Sequence, residues 1–144
     1  MEKINFKIAT PERVVFKGEV DSITLPTTTG EITVLPNHLP LISVLKAGEI
    51  LIKNNGEDVS VAVSGGFIEV LATKVVVLAD SAERSEELDV SRAEEALRRA
   101  MELREKKTVD VREFGALTAQ IEKEMARIKV GRKSRHRLEV NSKL

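Results

Sequence analysis

Apolar and polar residues alternate along the chain up to about Asp80, as in Ile4, Phe6 and Ile8 and again in Val59, Val61 and Val63. That two-residue period belongs to strands with one buried face. Turn signals punctuate it at Phe16-Lys17-Gly18, Thr27-Thr28-Thr29-Gly30, Lys46-Ala47-Gly48, Asn54-Asn55-Gly56 and Ser64-Gly65-Gly66, so the strands are short and numerous. Asn55-Gly56 is the sharpest hairpin signal, because both residues tolerate the positive φ of a tight turn. The run Val75-Val76-Val77-Leu78 lacks alternation and predicts a strand covered on both faces. Short strands without intervening helix predict an antiparallel sandwich or flattened barrel over residues 1–84. A domain of that size buries only about 60 to 65% of its unfolded surface, which leaves room for a partner on one face.

After Ala82-Glu83-Arg84 the spacing becomes helical, with Ala93, Ala96, Leu97, Ala100 and Met101 on one stripe. Asp89 is placed to cap this helix, and Glu94–Arg98, Glu95–Arg99 and Glu102–Lys106 are i,i+4 pairs. A second helix is predicted from Asp110, where Asp110 and Glu113 have capping-box spacing, with Phe114, Leu117, Ile121, Met125 and Ile128 on its apolar stripe and Gly131 as its end. The short connection Lys106-Lys107-Thr108-Val109 makes residues 85–144 an antiparallel helical hairpin, ending in a basic tail. Such a hairpin buries too little to stand alone and must dock on the sandwich, on a partner, or on each in turn.

Composition narrows the chemistry. The chain of 144 residues has no cysteine, which removes disulfides, thiolate catalysis and Cys-ligated zinc. The N-terminus lacks the basic and apolar regions of a signal peptide. Apolar runs of about five residues fall far short of the roughly 20 that span a bilayer, so membrane association is expected through a partner. The formal net charge is zero, yet residues 1–84 hold 8 Lys/Arg against 11 Asp/Glu, leaving 15 against 12 for the rest. From Arg127 to Arg137 there are six Lys/Arg and no acidic residue. This segment suits an acidic protein surface or anionic lipid; without interleaved aromatics it offers nucleic acid no stacking platform. Neither a phosphate-binding loop nor a nucleophile motif occurs, and Gly65-Gly66 falls between strand-like runs as a turn or bulge. His38 and His136 have no partners at metal-ligand spacing, so no metal is expected.

The segment Leu25-Pro26-Thr27-Thr28-Thr29-Gly30-Glu31-Ile32-Thr33-Val34-Leu35-Pro36-Asn37-His38-Leu39-Pro40-Leu41, followed by Gly48, resembles the signature segment of epsilon subunits of bacterial-type rotary ATP synthases. Gly65-Gly66-Phe67-Ile68-Glu69-Val70 and Val77-Leu78-Ala79-Asp80-Ser81-Ala82-Glu83 look like the last two strands of the same domain. The resemblance covers nearly the whole chain and implies a ten-stranded β-sandwich followed by two antiparallel helices. It implies a non-catalytic subunit of the central stalk, which couples proton translocation to ATP synthesis and needs no cofactor. It places the protein peripherally on the cytoplasmic face of the cell inner membrane. The implied partners are gamma and the c-ring, with the position matching Glu31 toward the ring and that matching His38 near gamma. Proline at positions 36 and 40 stiffens the segment around His38.

In bacterial relatives the hairpin switches between a compact form and an extended form that blocks ATP hydrolysis. By that resemblance Lys123, Arg127, Lys129, Arg132 and Lys133 are the expected contacts with acidic surfaces of the alpha and beta subunits. Leu88-Asp89-Val90-Ser91-Arg92-Ala93 resembles the motif with which some relatives bind ATP as a regulatory ligand, implicating Asp89 and Arg92 with Glu83 and Ala93. The family's additional basic residues on the second helix have no clear match, because Glu122 and Glu124 flank Lys123. Periodicity alone also permits a free-standing β-sandwich binding module with a dimerising hairpin. An enzyme using Glu31 and His38 as an acid–base pair lacks a third group.

Overall fold

The structure, a computed structural model, describes residues 2–106 and 110–142, with side chains as far as Lys133. Ten strands come first: β1 (Ile4–Ala9), β2 (Val14–Val20), β3 (Ser22–Thr27), β4 (Gly30–Val34), β5 (Leu41–Leu45), β6 (Gly48–Asn54), β7 (Glu57–Val63), β8 (Gly66–Val70), β9 (Lys74–Ala79) and β10 (Ala82–Arg84). A 3-10 turn at Ser85–Glu87 leads into α1 (Val90–Glu105) and α2 (Val111–Ser142). The strand order is β10-β7-β6-β3-β5-β8-β9-β1-β2, with β4 on the side of β3. β3 meets β5 through one residue pair, Thr27 with Leu45. That narrow junction lets the sheet fold over into two layers. Ile23, Leu25, Ile50, Ile52, Val61 and Val63 from one layer bury against Ile4, Phe6, Ile8, Ile68, Val70, Val75 and Val77 from the other. This is the sandwich that the period-two pattern predicts.

Three local expectations are revised. Phe16-Lys17-Gly18 makes no turn, because β2 runs through it in register with β1. The sheet is not wholly antiparallel, since β1 pairs in parallel with β9. The Val75–Leu78 run is not covered on both faces: Val75 and Val77 enter the core, whereas Val76 is half-buried and Leu78 is 58% exposed. Asn55 and Gly56 do form the two-residue turn between β6 and β7, at φ 53° and 80°.

The hairpin packs on the sandwich. α1 lies along α2, and α2 crosses β6, β7 and the 3-10 turn. Asp89 caps α1 by accepting from the Arg92 N–H at 3.2 Å, and Asp110 accepts from the Glu113 N–H at 2.8 Å ahead of α2. Of the expected surface pairs Glu95–Arg99 forms, whereas Arg98 pairs with Glu102 and Glu94 reaches Arg132. The connection at residues 107–109 lies outside the described residues, as do the side chains of the tail beyond Lys133, that of His136 included.

Gly131 does not end α2, which continues to Ser142. Its role is close approach: a Cβ there would stand 2.5 Å from Cγ2 of Val90 and 3.4 Å from Cβ of Leu88. The apolar stripe of α2 is also split. Ile121 and Ile128 are buried and Leu117 half-buried, but Phe114 and Met125 are exposed. Ala126 and Val130, about half a turn round the helix from Ile128 at 100° per residue, are buried where α2 crosses the sheet. A helix held from two sides cannot keep all its apolar residues on one stripe.

Two substitutions test this packing. Gly66 has φ 139°, and an added Cβ would lie 2.8 Å from the Ala79 Cα and overlap the Leu78 carbonyl. Gly66→Val is therefore expected to destabilise the sandwich by roughly 2–4 kcal/mol, read as a lower urea midpoint by circular dichroism; an unchanged midpoint refutes the close approach. Gly131→Ala improves α2's intrinsic helix propensity by about 1 kcal/mol while clashing with Val90. It should speed proteolysis within the hairpin and leave the melting of the sandwich unchanged.

Candidate interaction sites

Outward-facing residues of β5, β8 and β9 build the first site. Val44, Phe67 and Leu78 are directly opposite one another across the three strands. They form an apolar row facing solvent, with Phe67 62% exposed. In the adjacent row Ile42, at 77% exposure, stands opposite Glu69 and Val76. The loop after β4 is tied to the β8–β9 turn, the Asn37 N–H donating to the Ala72 carbonyl at 2.8 Å, and Leu35 and Leu39 of the loop and Leu71 of the turn are exposed as well. His38 sits in this loop, half-buried, its Nδ1 2.6 Å from the Leu39 carbonyl. A contiguous apolar surface of this kind marks a protein-binding face. Sequence reasoning missed it because Leu78 and Val76 read as residues of a doubly covered strand. The same signal was present, but the outer side of the strand is open.

Glu31 and His38 lie at opposite ends of β4. Glu31 faces Pro26 beside the β3–β4 turn and is exposed, whereas His38 comes four residues after the strand ends. Three residues of strand separate Glu31 from Val34 by about 10 Å, so no acid–base pair is assembled.

The second site is the junction of hairpin and sandwich. Glu83 on β10 and Arg127 on α2, far apart in sequence, meet with Nε 2.9 Å from Oε1 and Nη2 donating to Oε2 at 3.3 Å. The Nε–H does not point along its short contact, so Nε is a buried donor held by charge without a hydrogen bond. Arg127 also donates to Glu124 at 2.8 Å, and Gln120 donates to the same carboxylate at 2.6 Å. Burial works to lower the Arg127 pKa, but the Glu83 and Glu124 carboxylates outweigh it and hold the guanidinium above its ordinary value. Glu124, 2% exposed, was not anticipated. Its signal was a carboxylate three residues after Ile121 on the buried side, with Gln120 and Arg127 at helical spacing.

The remaining expected residues spread around this junction. Asp89 and Arg92 are exposed in the first turn of α1, and Ala93 is buried against Val90, Leu97 and Ile128. Lys133 donates to Glu49 of β6 at 2.7 Å, with Lys129 3.9 Å from the same oxygen. Arg132 pairs with Glu94 at 3.0 Å, and Lys123 is half-buried. The 3-10 turn is pinned to the β1–β2 loop by a two-point pair, Arg13 to Glu87 at 3.1 and 2.5 Å. Arg13 hydrogen-bonds the Glu87 carboxyl and holds its pKa below the usual range. Among the described residues no group of three or more His, Asp or Glu could hold a metal, and no helix is long and apolar enough to cross a membrane.

Between α1, α2 and the outer face of β6 and β7 lies an open groove of about 1270 Å³, lined by Leu51, Ser60, Leu97, Met101, Met125 and Ile128 among others. It exists because α1 rests on α2 rather than on the sheet.

Comparison with known proteins places both halves. Residues 3–85 match the family described as ATP synthase, Delta/Epsilon chain, beta-sandwich domain. Residues 86–131 match the family described as ATP synthase, Delta/Epsilon chain, long alpha-helix domain. The ATP synthase epsilon chain of Dehalococcoides mccartyi is 45% identical over 94% of this chain and 96% of its own length. That of Pelotomaculum thermopropionicum is 52% identical over 71% and 76% respectively. Among solved structures, a chain of the Euglena gracilis mitochondrial ATP synthase superposes with TM-score 0.74 at 22% identity, covering 85% of this chain and 77% of that one. A chain of the Tetrahymena thermophila mitochondrial ATP synthase central stalk and c-ring gives 0.60 at 16%, covering 92% and 96%; both likenesses concern the fold. Ten strands in a sandwich, two helices folded back on it and sequence identity along almost the full length agree, and the chain belongs to the ATP synthase delta/epsilon chain family.

Proposed function

We propose that this chain is the epsilon subunit of a rotary ATP synthase, a component of the central stalk that carries torque and performs no bond chemistry of its own. The observation that carries this reading is the exposed row Val44–Phe67–Leu78 on β5, β8 and β9. It is flat, apolar and built on a rigid sheet, which suits a permanent contact with a large partner better than it suits a substrate. Gamma is the occupant we assign to it, with the loop of His38 at its edge. The turn beside Glu31, at the far end of β4, is assigned to the c-ring. Membrane association is then peripheral and through the complex, on the cytoplasmic face. The family matches over both halves favour this reading over a free-standing module that dimerises through its hairpin.

The hairpin is the regulatory part. Docked, it is the compact form; released, its Lys123, Arg127, Lys129, Arg132 and Lys133 would meet acidic surfaces of the alpha and beta subunits and oppose ATP hydrolysis. The nucleotide reading centres on Glu83, Asp89, Arg92 and Ala93. Its support is that Arg127, assigned from sequence to the inhibitory contact alone, comes against Glu83. Arg92 is an exposed guanidinium in the first turn of α1, and a phosphate chain would have to draw Arg127 from its two carboxylates to be held by both cations. Asp89 would contribute only the oxygen not engaged in capping.

Phe67→Asp combined with Leu78→Asp should leave the sandwich folded, as both side chains point outward, and weaken binding to gamma by roughly a hundredfold in a titration. Retained affinity would move gamma to another face. Calorimetric titration of ATP into the chain should show binding that Arg92→Ala with Arg127→Ala abolishes. No heat from the parent chain would remove ATP as a ligand and leave the stalk role standing.

A further inference from the structure

α2 lies across β10, β7 and β6, and the residues beneath it form a row. Glu83 of β10 is opposite Ala62 of β7, and Ala62 is opposite Glu49 of β6. Directly opposed residues project from the same face of a sheet, so two carboxylates flank one small side chain. Strands lie about 4.8 Å apart, which puts the two acidic positions about 9.6 Å from each other. On α2, Arg127 reaches Glu83 and Lys133 reaches Glu49. Six residues of helix rise about 9 Å. Helix and sheet therefore share a repeat, and the cation spacing on α2 matches the carboxylate spacing on the strands.

α2 brings buried Ala126 and Val130 to this crossing, and the sheet brings smaller side chains to meet them. The buried residues there include Ala62 and Ser60, and the Ser60 hydroxyl has no hydrogen-bond partner. Small or polar side chains bring limited apolar area to the contact, so the charged pairs weigh heavily. Both pairs are partly screened from water. The Arg127 and Glu83 side chains are 20% and 28% exposed, and that of Glu49 is 9% exposed. Removing Glu83 leaves the Arg127 charge poorly solvated, whereas Lys133 is 44% exposed and returns to water when Glu49 is removed. Glu124, the other partner of Arg127, sits on α2 itself and travels with it.

We propose that Glu83 and Glu49 form a two-point acidic rail that imitates the acidic partner surface for which α2's cations are suited. While α2 rests on the rail, Arg127, Lys129 and Lys133 are withheld from that surface, so rail and partner compete for the same side chains. The strength of the rail, set on the sandwich, fixes how often the helix is released. This rests on the reading that the released helix engages acidic surfaces of the catalytic subunits.

The test uses the full chain with Glu49→Gln and Glu83→Gln, which are isosteric and leave α2 untouched. Because the chain has no cysteine, spin labels at Lys53→Cys on β6 and Ala119→Cys on α2, both exposed, report the separation of helix and sheet. The open-to-closed ratio should rise roughly two- to fivefold for each pair neutralised, the range for partly exposed pairs. Pairing Glu49→Lys with Lys133→Glu should restore the closed distribution. Unchanged distances in the neutral variant overturn the rail. The second arm assembles the variant into the catalytic complex and measures ATP hydrolysis. Opening together with deeper inhibition supports the competition; opening with unaltered hydrolysis leaves the rail in place and overturns the partner it is said to imitate.

Discussion

An alternating strand has two faces, and a sandwich of ten strands of three to seven residues supplies a core for only one of them. That constraint governs the molecule. Core positions are filled by alternate residues from both layers, closing on Phe6, Ile23, Ile50 and Val77. Each outer face must then meet water or be covered, and the faces divide between these solutions. β2 presents Lys17 and Glu19 to solvent. β6 and β7 receive α2. β5, β8 and β9 keep an apolar row open. The face that α2 covers and the open apolar row are thus both left over by the same packing problem.

The open face and the face under α2 differ in chemistry, and the difference matches the roles proposed for them. The row of Val44, Phe67 and Leu78 is apolar, so its burial gains steadily with area and is not weakened by charge screening. Under α2 the sheet offers Glu49, Ala62 and Glu83, whose attraction for Arg127 and Lys133 trades protein contacts against water at nearly even terms. A permanent joint benefits from the first kind of interface. A joint that opens needs the second, where two states remain within a few kcal/mol of each other.

Much of this was legible in the sequence. Period-two patterning specified which residues of β1 and β7 enter the core, and Asn55-Gly56 specified the β6–β7 turn, because both signals are local. Asp89 and Asp110 announced their helices for the same reason. What was not legible depended on distant neighbours. Gly131 looks like a helix terminator until Val90 is seen against it; a glycine inside a helix then becomes a site of contact. Leu78 reads as buried until the chain proves to have nothing to lay over it. The family segment led to Glu83, Asp89 and Arg92 residue by residue, yet the meeting of Glu83 with Arg127 required strand order and helix placement together.

The parallel pairing of β1 with β9 has a consequence for synthesis at the ribosome. β1 is made first, and its only local neighbour is β2; its other edge stays open until Lys74–Ala79 has emerged. Ile4, Phe6 and Ile8 therefore wait through most of the translation of the sandwich before their layer closes. Such non-local closure slows folding and exposes an apolar strand edge meanwhile. The nascent sandwich is most prone to misassembly in the interval before β9 arrives, and the helical hairpin, translated last, docks on a sheet already complete.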